Sequence, residues 1–208
     1  MKLIGMLDSP YVRRTAIAMR TMNIPFEHCA LSVFGDFDEI ARVNPVVKVP
    51  TLVLDDGTVL IDSTLILDYL SDVATSENRL IPGELADKAR AYKMIGMALA
   101  GCDKAVQLFY ERNLKPADKQ HPPWLQRITR QMLNAFAVLE KEINANPLIP
   151  GTTLVSITVA VIWQFVRAML SDVVKEGSHP NLDALSQASE LLPVFKALPP
   201  VGPGVGSA

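Results

Sequence analysis

The sequence predicts two domains of different class, a small α/β domain followed by a larger all-helical domain. Strand and helix patterns alternate over about the first 75 of the 208 residues, in the order β-α-β-α-β-β-α. After residue 84 the strand patterns stop, and long runs with apolar residues at helical spacing follow. We therefore predict an α/β domain of residues 1–75, a linker of 76–84, a helical domain of 85–198 and an irregular tail of 199–208.

The first domain is predicted to contain a mixed sheet. Two strand patterns, separated by a helix that begins at Pro10, predict a parallel pair joined by a right-handed crossover. A tight turn at residues 55–57 joins two further apolar runs and predicts an antiparallel hairpin. The predicted strands cover residues 2–7, 26–31, 51–54 and 59–61, and the predicted helices begin near Pro10, Asp36 and Asp62.

The second domain is predicted to be a bundle of helices around one apolar helix. The most apolar run, residues 154–170, contains Ser156, Thr158, Gln164 and Arg167. It is too short and too polar for a membrane span, so we interpret it as the central buried helix. The predicted helices cover residues 85–113, 124–146, 154–170 and 182–192.

Composition excludes several classes of function. The chain is 49% hydrophobic and 20% charged, with a net charge of −2 and no block of Lys or Arg. It therefore lacks a basic surface for nucleic acid or anionic lipid. Cys29 and Cys102 fit no metal or disulfide spacing, and each is expected to be a small buried apolar residue. The start of the chain reads as a strand and not as a signal peptide, which predicts a cytoplasmic protein.

Val49 and Pro50 stand directly before a predicted strand. Proline cannot donate a hydrogen bond to a strand ladder, so its place here needs a special backbone geometry. A cis Val49-Pro50 bond would turn the chain sharply and leave the Val49 N–H and C=O pointing outward. We expect these groups to pair with an extended peptide.

Asp62 and Ser63 stand at the predicted start of a helix. The unpaired N–H groups and partial positive charge of a helix N-terminus attract a carboxylate. Ser63 adds a hydroxyl donor, and Asp62 can hold an ammonium group. Together they suit the head group of an α-amino acid, and the alternative is that they only cap the helix.

These motifs occur together in a known family. The pattern N-P-x-x-x-V-P at residues 44–50, followed by a hairpin and an acid-Ser pair, resembles the glutathione-binding half of the soluble glutathione S-transferase family. The resemblance covers about the first 75 residues, and the helical pattern fits the remainder. It implies a thioredoxin-like first domain, glutathione as cosubstrate, a small electrophilic substrate, a homodimer and a role in detoxification.

The first strand-to-helix turn reads Ser9-Pro10-Tyr11-Val12. Glutaredoxins have C-P-Y-C at this turn, so the absence of both thiols excludes dithiol chemistry here. In the serine-type transferases, which this turn resembles, the matching hydroxyl donates to the glutathione sulfur and favours the thiolate. The resemblance therefore implies that Ser9 is the catalytic hydroxyl. Tyr11 is the second candidate, and a simple helix cap at Ser9 is the third.

The resemblance also implies a contact for each part of glutathione. The backbone of Val49, beside Pro50, pairs with the cysteinyl part. Asp62 and Ser63 bind the γ-glutamyl group. Lys48 matches a position that contacts the glycine carboxylate, and the alternative is a solvated surface lysine.

Four polar residues are interpreted as structural. For Arg13 and Arg14, at the start of the first helix, we expect a surface or interdomain ion pair in preference to a role in the site. Thr153 and Ser156 occupy a position where the family has a capping box of Ser or Thr and Asp. Ser156 can bond back to the cap N–H, but it brings no charge to match the helix dipole.

Two other functions remain open on the sequence. A glutathione-dependent isomerase is similar in the V-P-T-L motif at residues 49–52, although the S-S-C-[SA] turn typical of maleylacetoacetate isomerases is absent. The second open function is that of a non-enzymatic interaction protein with the same fold, because fold alone does not determine function. The V-P and acid-Ser motifs favour the transferase.

Overall fold

The computed structural model describes residues 1–204 and divides into two compact units. The first unit contains Met1–Ile81 together with the segment that begins at Leu192. The second contains Pro82–Leu191. The first unit carries all the strands of the described residues, and the second is helical.

The first unit is built on a mixed sheet of four strands. The strands are β1 Lys2–Ile4, β2 Glu27–Cys29, β3 Thr51–Val53 and β4 Val59–Ile61. Their order in the sheet is β2-β1-β3-β4. β1 and β2 run parallel, whereas β3 is antiparallel to both β1 and β4. The predicted mixed sheet, with its parallel pair and its hairpin, is confirmed.

The helices of the first unit are α1 Pro10–Thr21, α2 Phe37–Ala41, α3 Ser63–Val73 and α8 Pro193–Lys196, with a 3₁₀ turn at Ser76–Asn78. α1 packs against α3, and its middle residues are almost wholly buried. Leu3, Ile17, Leu52 and Ile66 are fully buried and join the sheet to these two helices. α1 follows β1 along the chain, and α3 follows β4. Because this core packs both helices against the sheet, the starts of α1 and α3 are held in fixed places.

The C-terminal segment packs on α1. Phe195 is fully buried, and the Arg13 guanidinium carbon lies 5.6 Å from its ring centroid. Arg13 Nε also donates a hydrogen bond to the Leu198 carbonyl at 2.8 Å. Farther along, the Gly204 N–H donates to the Asp8 carboxylate at 3.1 Å. These contacts explain why this segment belongs to the first unit, although the predicted helical domain extended to residue 198.

The rest of the predicted tail is only partly described. Residues 199–204 form neither helix nor strand. The remaining positions of the predicted tail, 205–208, lie outside the described residues. The short helix α8 was not predicted, because its four residues carry no recognisable periodic pattern.

The second unit is a bundle around one buried helix. Its helices are α4 Leu85–Leu114, α5 Pro122–Ala145, α6 Leu154–Met169 and α7 Pro180–Glu190, with a 3₁₀ turn at Ala117–Lys119. α6 packs against α4 and α7, and its side chains from Leu154 to Trp163 are all buried. The prediction that the most apolar run forms the central helix is confirmed. Across the described residues, every helix is either too short or too polar to span a bilayer.

The start of α6 has the predicted capping box. The Ser156 N–H donates to Thr153 Oγ1 at 3.2 Å, and the Thr153 N–H donates to Ser156 Oγ at 3.1 Å. A serine therefore satisfies the cap N–H without contributing a charge to the helix dipole. The structural interpretation of this pair is confirmed.

The residue directly before α7 is a half-buried histidine, His179. The His179 ring lies 5.0 Å from the Trp163 ring, and Trp163 Nε1 donates to Asp183 at 2.8 Å. Burial lowers the pKa of His179 from its ordinary value of 6.5, and this outweighs the opposing effect of Glu140 and Asp183. The folded unit therefore prefers the neutral imidazole.

This preference predicts a loss of stability in mild acid. As the pH falls below 6.5, the unfolded chain takes up a proton at residue 179 before the folded chain does. The unfolded state then binds more protons, so the free energy of unfolding falls with decreasing pH. We expect His179→Asn to show a smaller fall between about pH 7.5 and about pH 5.5 in urea titrations. Identical pH dependence in the two proteins would show that His179 has no part in it.

Candidate functional site

The ends of three strands meet at one edge of the sheet. Ile4 pairs with Thr51, and Thr51 pairs with Ile61. Continuing this antiparallel register by one residue brings Gly5, Pro50 and Asp62 into one row across the edge. From this row β1 leads into α1 and β4 leads into α3. The starts of both helices therefore face the same region as the loop before β3.

The Val49-Pro50 peptide bond in this row is cis, as predicted. Pro50 has no N–H, so the ladder between β1 and β3 ends there. Val49 is half-buried. No hydrogen bond to its backbone N–H or C=O is present among residues 1–204.

Gly5 allows three elements to touch at this edge. Its φ of +135° lies in a region that favours glycine. A methyl group at Gly5 would lie 2.5 Å from Val12 Cγ2 and 2.9 Å from Val49 Cβ, both closer than van der Waals contact. β1, α1 and the loop before β3 are therefore so close together at Gly5 that no side chain fits between them. No local sequence pattern indicates this close approach at Gly5.

Asn44 holds the loop before β3. Its side chain is almost fully buried, and Nδ2 donates to the Lys48 carbonyl at 3.0 Å and to Thr51 Oγ1 at 2.9 Å. Its Oδ1 accepts a hydrogen bond from the Val46 N–H at 3.1 Å. The Thr51 hydroxyl donates to the same Lys48 carbonyl at 2.7 Å. In the sequence Asn44 is the first residue of the N-P-x-x-x-V-P motif, and the structure shows that it fixes the backbone beside Val49.

Asp62 and Lys48 lie next to each other at the edge. Asp62 has a φ of 71°, and its Oδ1 accepts a hydrogen bond from the Thr64 N–H at 2.8 Å. Its Oδ2 lies 3.7 Å from Lys48 Nζ, and both side chains are about half exposed. Exposed pairs of this kind contribute only ~0–1 kcal/mol to stability. The pair therefore places a positive and a negative group side by side where a ligand can reach both.

Ser63 and Arg14 form a buried contact between α3 and α1. Arg14 Nη1 donates a hydrogen bond to Ser63 Oγ at 2.9 Å. Arg14 is 0% exposed, Arg13 is 1% exposed and Ser63 is 3% exposed. The surface location expected as one alternative for these arginines is wrong, because α1 is covered by α3 on one side and by the C-terminal segment on another. Arg14 instead reaches a predicted ligand residue.

Ser9 and Tyr11 occupy the start of α1. Ser9 is the N-cap residue, and its Oγ accepts a long hydrogen bond of 3.4 Å from the Val12 N–H. This cap uses a lone pair of the oxygen and leaves the hydroxyl hydrogen available for donation. In the described part of the chain, Ser9 Oγ donates to no acceptor. Tyr11 is half-buried in the first turn, and its carbonyl accepts a hydrogen bond from the Thr15 hydroxyl at 2.9 Å.

The two cysteines differ in exposure. Cys102 is fully buried as expected, whereas Cys29 is half-buried because β2 is an edge strand of the sheet. Burial, reinforced by the neighbouring Glu27 carboxylate, raises the pKa of the Cys29 thiol. Cys29 therefore stays protonated at neutral pH and is a poor nucleophile. Within residues 1–204 no three His, Cys, Asp or Glu side chains are grouped in a way that could hold a metal ion.

Most of the predicted site residues belong to one continuous series of contacts within the first unit. Hydrogen bonds, one ion pair, packing contacts and chain neighbours connect its members. In order these are Ser9, Val12, Gly5, Val49, Lys48, Asp62, Ser63 and Arg14. The series brings together a helix N-terminus, an ion pair and a backbone edge, which together can bind a short zwitterionic peptide.

Comparison with known proteins agrees with this arrangement. Residues 3–77 match the family model of the glutathione S-transferase N-terminal domain. The uncharacterised GST-like protein YibF of Escherichia coli K12 is 28% identical over 140 residues, which cover 67% of this chain and 68% of YibF. Residues 3–77 are thus similar to the glutathione S-transferase N-terminal domain, and the whole chain is similar to glutathione S-transferases.

Solved structures of the family share the whole fold. A Pseudomonas fluorescens glutathione transferase family member with bound glutathione has a TM-score of 0.83 and 26% identity, covering 97% of this chain and 99% of its own. A Methylobacterium radiotolerans glutathione S-transferase in complex with glutathione sulfonate has a TM-score of 0.89 and 24% identity, covering 100% and 98%. The thioredoxin-like first unit and the helical second unit therefore have the same folds as the two domains of these solved structures.

The close approach at Gly5 predicts a specific loss of stability. Gly5→Ala places a methyl group against Val12 and Val49, so it adds a steric cost to the cost of its backbone conformation. Gly57→Ala is the matched control, because Gly57 also has a positive φ but no atom lies within 4 Å of the added methyl. We expect Gly5→Ala to lower the free energy of unfolding by about 1–3 kcal/mol more than Gly57→Ala in urea titrations. Equal losses would indicate that no close contact exists at Gly5.

Proposed function

We propose that the protein is a glutathione transferase that binds glutathione at the edge of the sheet and activates its thiol for attack on an electrophilic carbon. The observation that carries the proposal is the convergence of Lys48, Asp62 and Ser63 at the start of α3. Each of these residues was proposed from the sequence as a glutathione contact. The family members crystallised with glutathione or glutathione sulfonate support the same ligand.

The charges at the edge suit the two ends of the tripeptide. Asp62 binds the γ-glutamyl ammonium, and Ser63 with the N–H groups of α3 binds the adjacent carboxylate. Lys48 binds the glycine carboxylate. Lys48 and Asp62 form a half-exposed pair at 3.7 Å, and the pair separates when the two side chains bind opposite ends of the extended tripeptide, which spans about 10 Å. The backbone of Val49, beside Pro50, pairs with the cysteinyl residue in the manner of an added strand.

The Ser9 hydroxyl is the proposed donor to the glutathione sulfur. A free thiol has a pKa near ~8.5, and lowering it by ~2 units requires roughly 2.7 kcal/mol of preference for the thiolate. A hydrogen bond to a charged acceptor contributes ~1.5–3 kcal/mol, and a helix N-terminus contributes ~0.3–1 kcal/mol. Ser9 at the start of α1 offers both, and the serine itself remains neutral. Tyr11 is the second candidate for this hydroxyl.

A glutathione-dependent isomerase is the second candidate function. The V-P-T-L sequence at residues 49–52 favours it, because isomerases of this family share the motif. The two reactions differ in their thiol balance. A transferase consumes one thiol for each product, because a C–S bond forms and the proton leaves with the leaving group or joins the adduct. An isomerase adds glutathione and then expels it, so the free thiol concentration stays constant.

We further propose that the protein is a homodimer and is located in the cytoplasm. A homodimer is supported by apolar side chains that stay exposed on α3, where Leu65 is 65% and Tyr69 is 41% exposed. In the helical unit, Leu85 and Tyr92 of α4 are exposed as well. A reducing cytoplasm suits Cys29 and Cys102, which form no disulfide. There the transferase would remove reactive electrophiles.

Substitution of Ser9 tests the proposed chemistry. Ser9→Ala removes the hydroxyl donor, so we expect kcat/KM with a generic aryl halide to fall about tenfold or more and the pH profile of the rate to move to higher pH. The dissociation constant of glutathione, measured by calorimetry at about pH 5.5, should change less than about twofold, because the bound thiol is then mostly neutral and the hydroxyl favours the thiolate. Tyr11→Phe is the matched control and should retain activity. If Tyr11→Phe loses activity while Ser9→Ala retains it, the roles are reversed.

Substitution of Asp62 tests the proposed binding site. Asp62→Asn removes the charge that would hold the γ-glutamyl ammonium, so we expect glutathione affinity to fall about tenfold. Asp56→Asn is a close control, because the Asp56 carboxylate accepts the N–H of Thr58 at 2.9 Å just as Asp62 accepts that of Thr64 at 2.8 Å. Asp56 lies in the hairpin turn and should leave affinity unchanged. Equal affinities of the two variants in calorimetry would remove Asp62 from the site.

A further inference from the structure

The end of the C-terminal segment crosses the turn that joins β1 to α1. The Gly204 N–H donates a hydrogen bond to Asp8 Oδ2 at 3.1 Å. A methyl group added at Gly202 would lie 2.1 Å from the same Oδ2 and 2.2 Å from the carboxyl carbon of Asp8. We call residues 199–204 the C-terminal strap. The strap therefore meets the Asp8 carboxylate at two of its glycines, directly before Ser9 in the chain.

Gly202 is required by this contact and not by its backbone conformation. Its φ lies outside the left-handed region that favours glycine, so its backbone would accept a side chain if there were space. The segment before the strap is held on α1 by Arg13, whose Nε donates to the Leu198 carbonyl at 2.8 Å. Three prolines restrict the backbone between that anchor and Gly204. The strap is therefore guided onto the Asp8 side chain.

The Asp8 carboxylate is an anion placed beside the proposed thiol site. Asp8 directly precedes Ser9, and neighbouring Cα atoms are only ~3.8 Å apart. A carboxylate accepts hydroxyl hydrogens, so an Asp8 side chain released from the strap would compete with the glutathione sulfur for the Ser9 donor. Its negative charge would also raise the pKa of a nearby thiol. Both effects oppose formation of the thiolate.

In the folded protein the strap engages this carboxylate. Within residues 1–204, no hydrogen bond joins Asp8 to Ser9, whose Oγ accepts the Val12 N–H. The charged and titratable side chains on the elements around this turn are Lys2 of β1, His28 of β2, Lys48 and Asp62 of the ligand edge, Asp68 and Asp72 of α3, Arg13 and Arg14 of α1, and Lys196 of α8. In the described part of the chain, none of them forms a hydrogen bond or an ion pair with Asp8. The strap is therefore the contact that sets the direction of the Asp8 carboxylate.

We propose that the C-terminal strap is a positioning element of the thiol site, which holds the Asp8 carboxylate away from the Ser9 hydroxyl and from the glutathione sulfur. This inference rests on the proposed function and deepens it, because it makes thiol activation depend on a docked C-terminal segment. Displacement of the strap would weaken activation of the thiol. The groups at the start of α3 that are proposed to bind the γ-glutamyl end would stay in place.

The pKa of the bound glutathione thiol, measured from the ultraviolet absorbance of the thiolate, tests the proposal in the full-length protein. Gly202→Ala and the bulkier Gly202→Leu force the strap and the Asp8 carboxylate apart. We expect the thiol pKa to rise by about 0.5–1, and kcat/KM at about pH 6.5 to fall about three- to tenfold. Val201→Ala is the matched control, because Val201 is an exposed residue of the same strap, and it should change neither quantity.

Replacement of Asp8 separates this role from a purely structural one. Asp8→Ala removes the carboxylate and makes room for a side chain at residue 202. In this background we expect Gly202→Ala and Gly202→Leu to leave the thiol pKa unchanged. If Asp8→Ala does not fold, Asp8→Asn takes its place, because the amide keeps an acceptor for the Gly204 N–H without the charge. A strap that only stabilised α1 would lower the thermal midpoint without moving the thiol pKa.

A wild-type thiol pKa in Gly202→Leu would overturn the proposal. An equal rise of that pKa with and without the Asp8 carboxylate would overturn it as well. Either result gives the strap a structural role only and leaves the transferase proposal intact. If the folded wild-type protein does not bind glutathione in calorimetry, the proposed function fails together with the role of the strap. The wild-type titration therefore distinguishes the two failures.

Discussion

The close approach of Gly5 to Val12 and Val49 is the constraint on which the site depends. A side chain at Gly5 would separate the end of β1 from α1 and from the loop before β3. Because these three elements touch, the start of α1 and the backbone of Val49 are fixed relative to each other. Asn44 then fixes the same loop from its other side by hydrogen bonds to the Lys48 carbonyl and to Thr51.

The pairing of the strands extends this constraint to the second helix. The register between β1, β3 and β4 sets Gly5, Pro50 and Asp62 side by side, so the start of α3 follows at the same edge. Arg14 joins the two helices through Ser63, and Arg13 fastens α1 to the C-terminal segment. The groups proposed to bind glutathione are therefore held by the core of the first unit, and this reduces the entropy lost when the ligand binds.

The sequence predicted the features that local patterns encode. The hairpin, the starts of α1 and α3 and the capping box of α6 follow from turn residues, caps and periodicity, and all are present. It did not predict the contacts of Gly5 and Asn44 or the burial of Arg14, since each depends on residues distant in the chain. The prediction placed residues 192–198 in the helical domain, because their contacts with α1 are likewise distant in the chain. Two adjacent arginines close to the apolar residues 16–19 were the available signal that α1 buries charged groups.

A crystal structure of the protein with glutathione bound tests the central claim most directly. The account predicts the tripeptide along the Val49 edge, with its γ-glutamyl carboxylate at Ser63 and the N-terminus of α3. The sulfur should lie within hydrogen-bonding distance of Ser9 Oγ. A ligand bound away from this edge, or a sulfur out of reach of the Ser9 hydroxyl, would contradict the account.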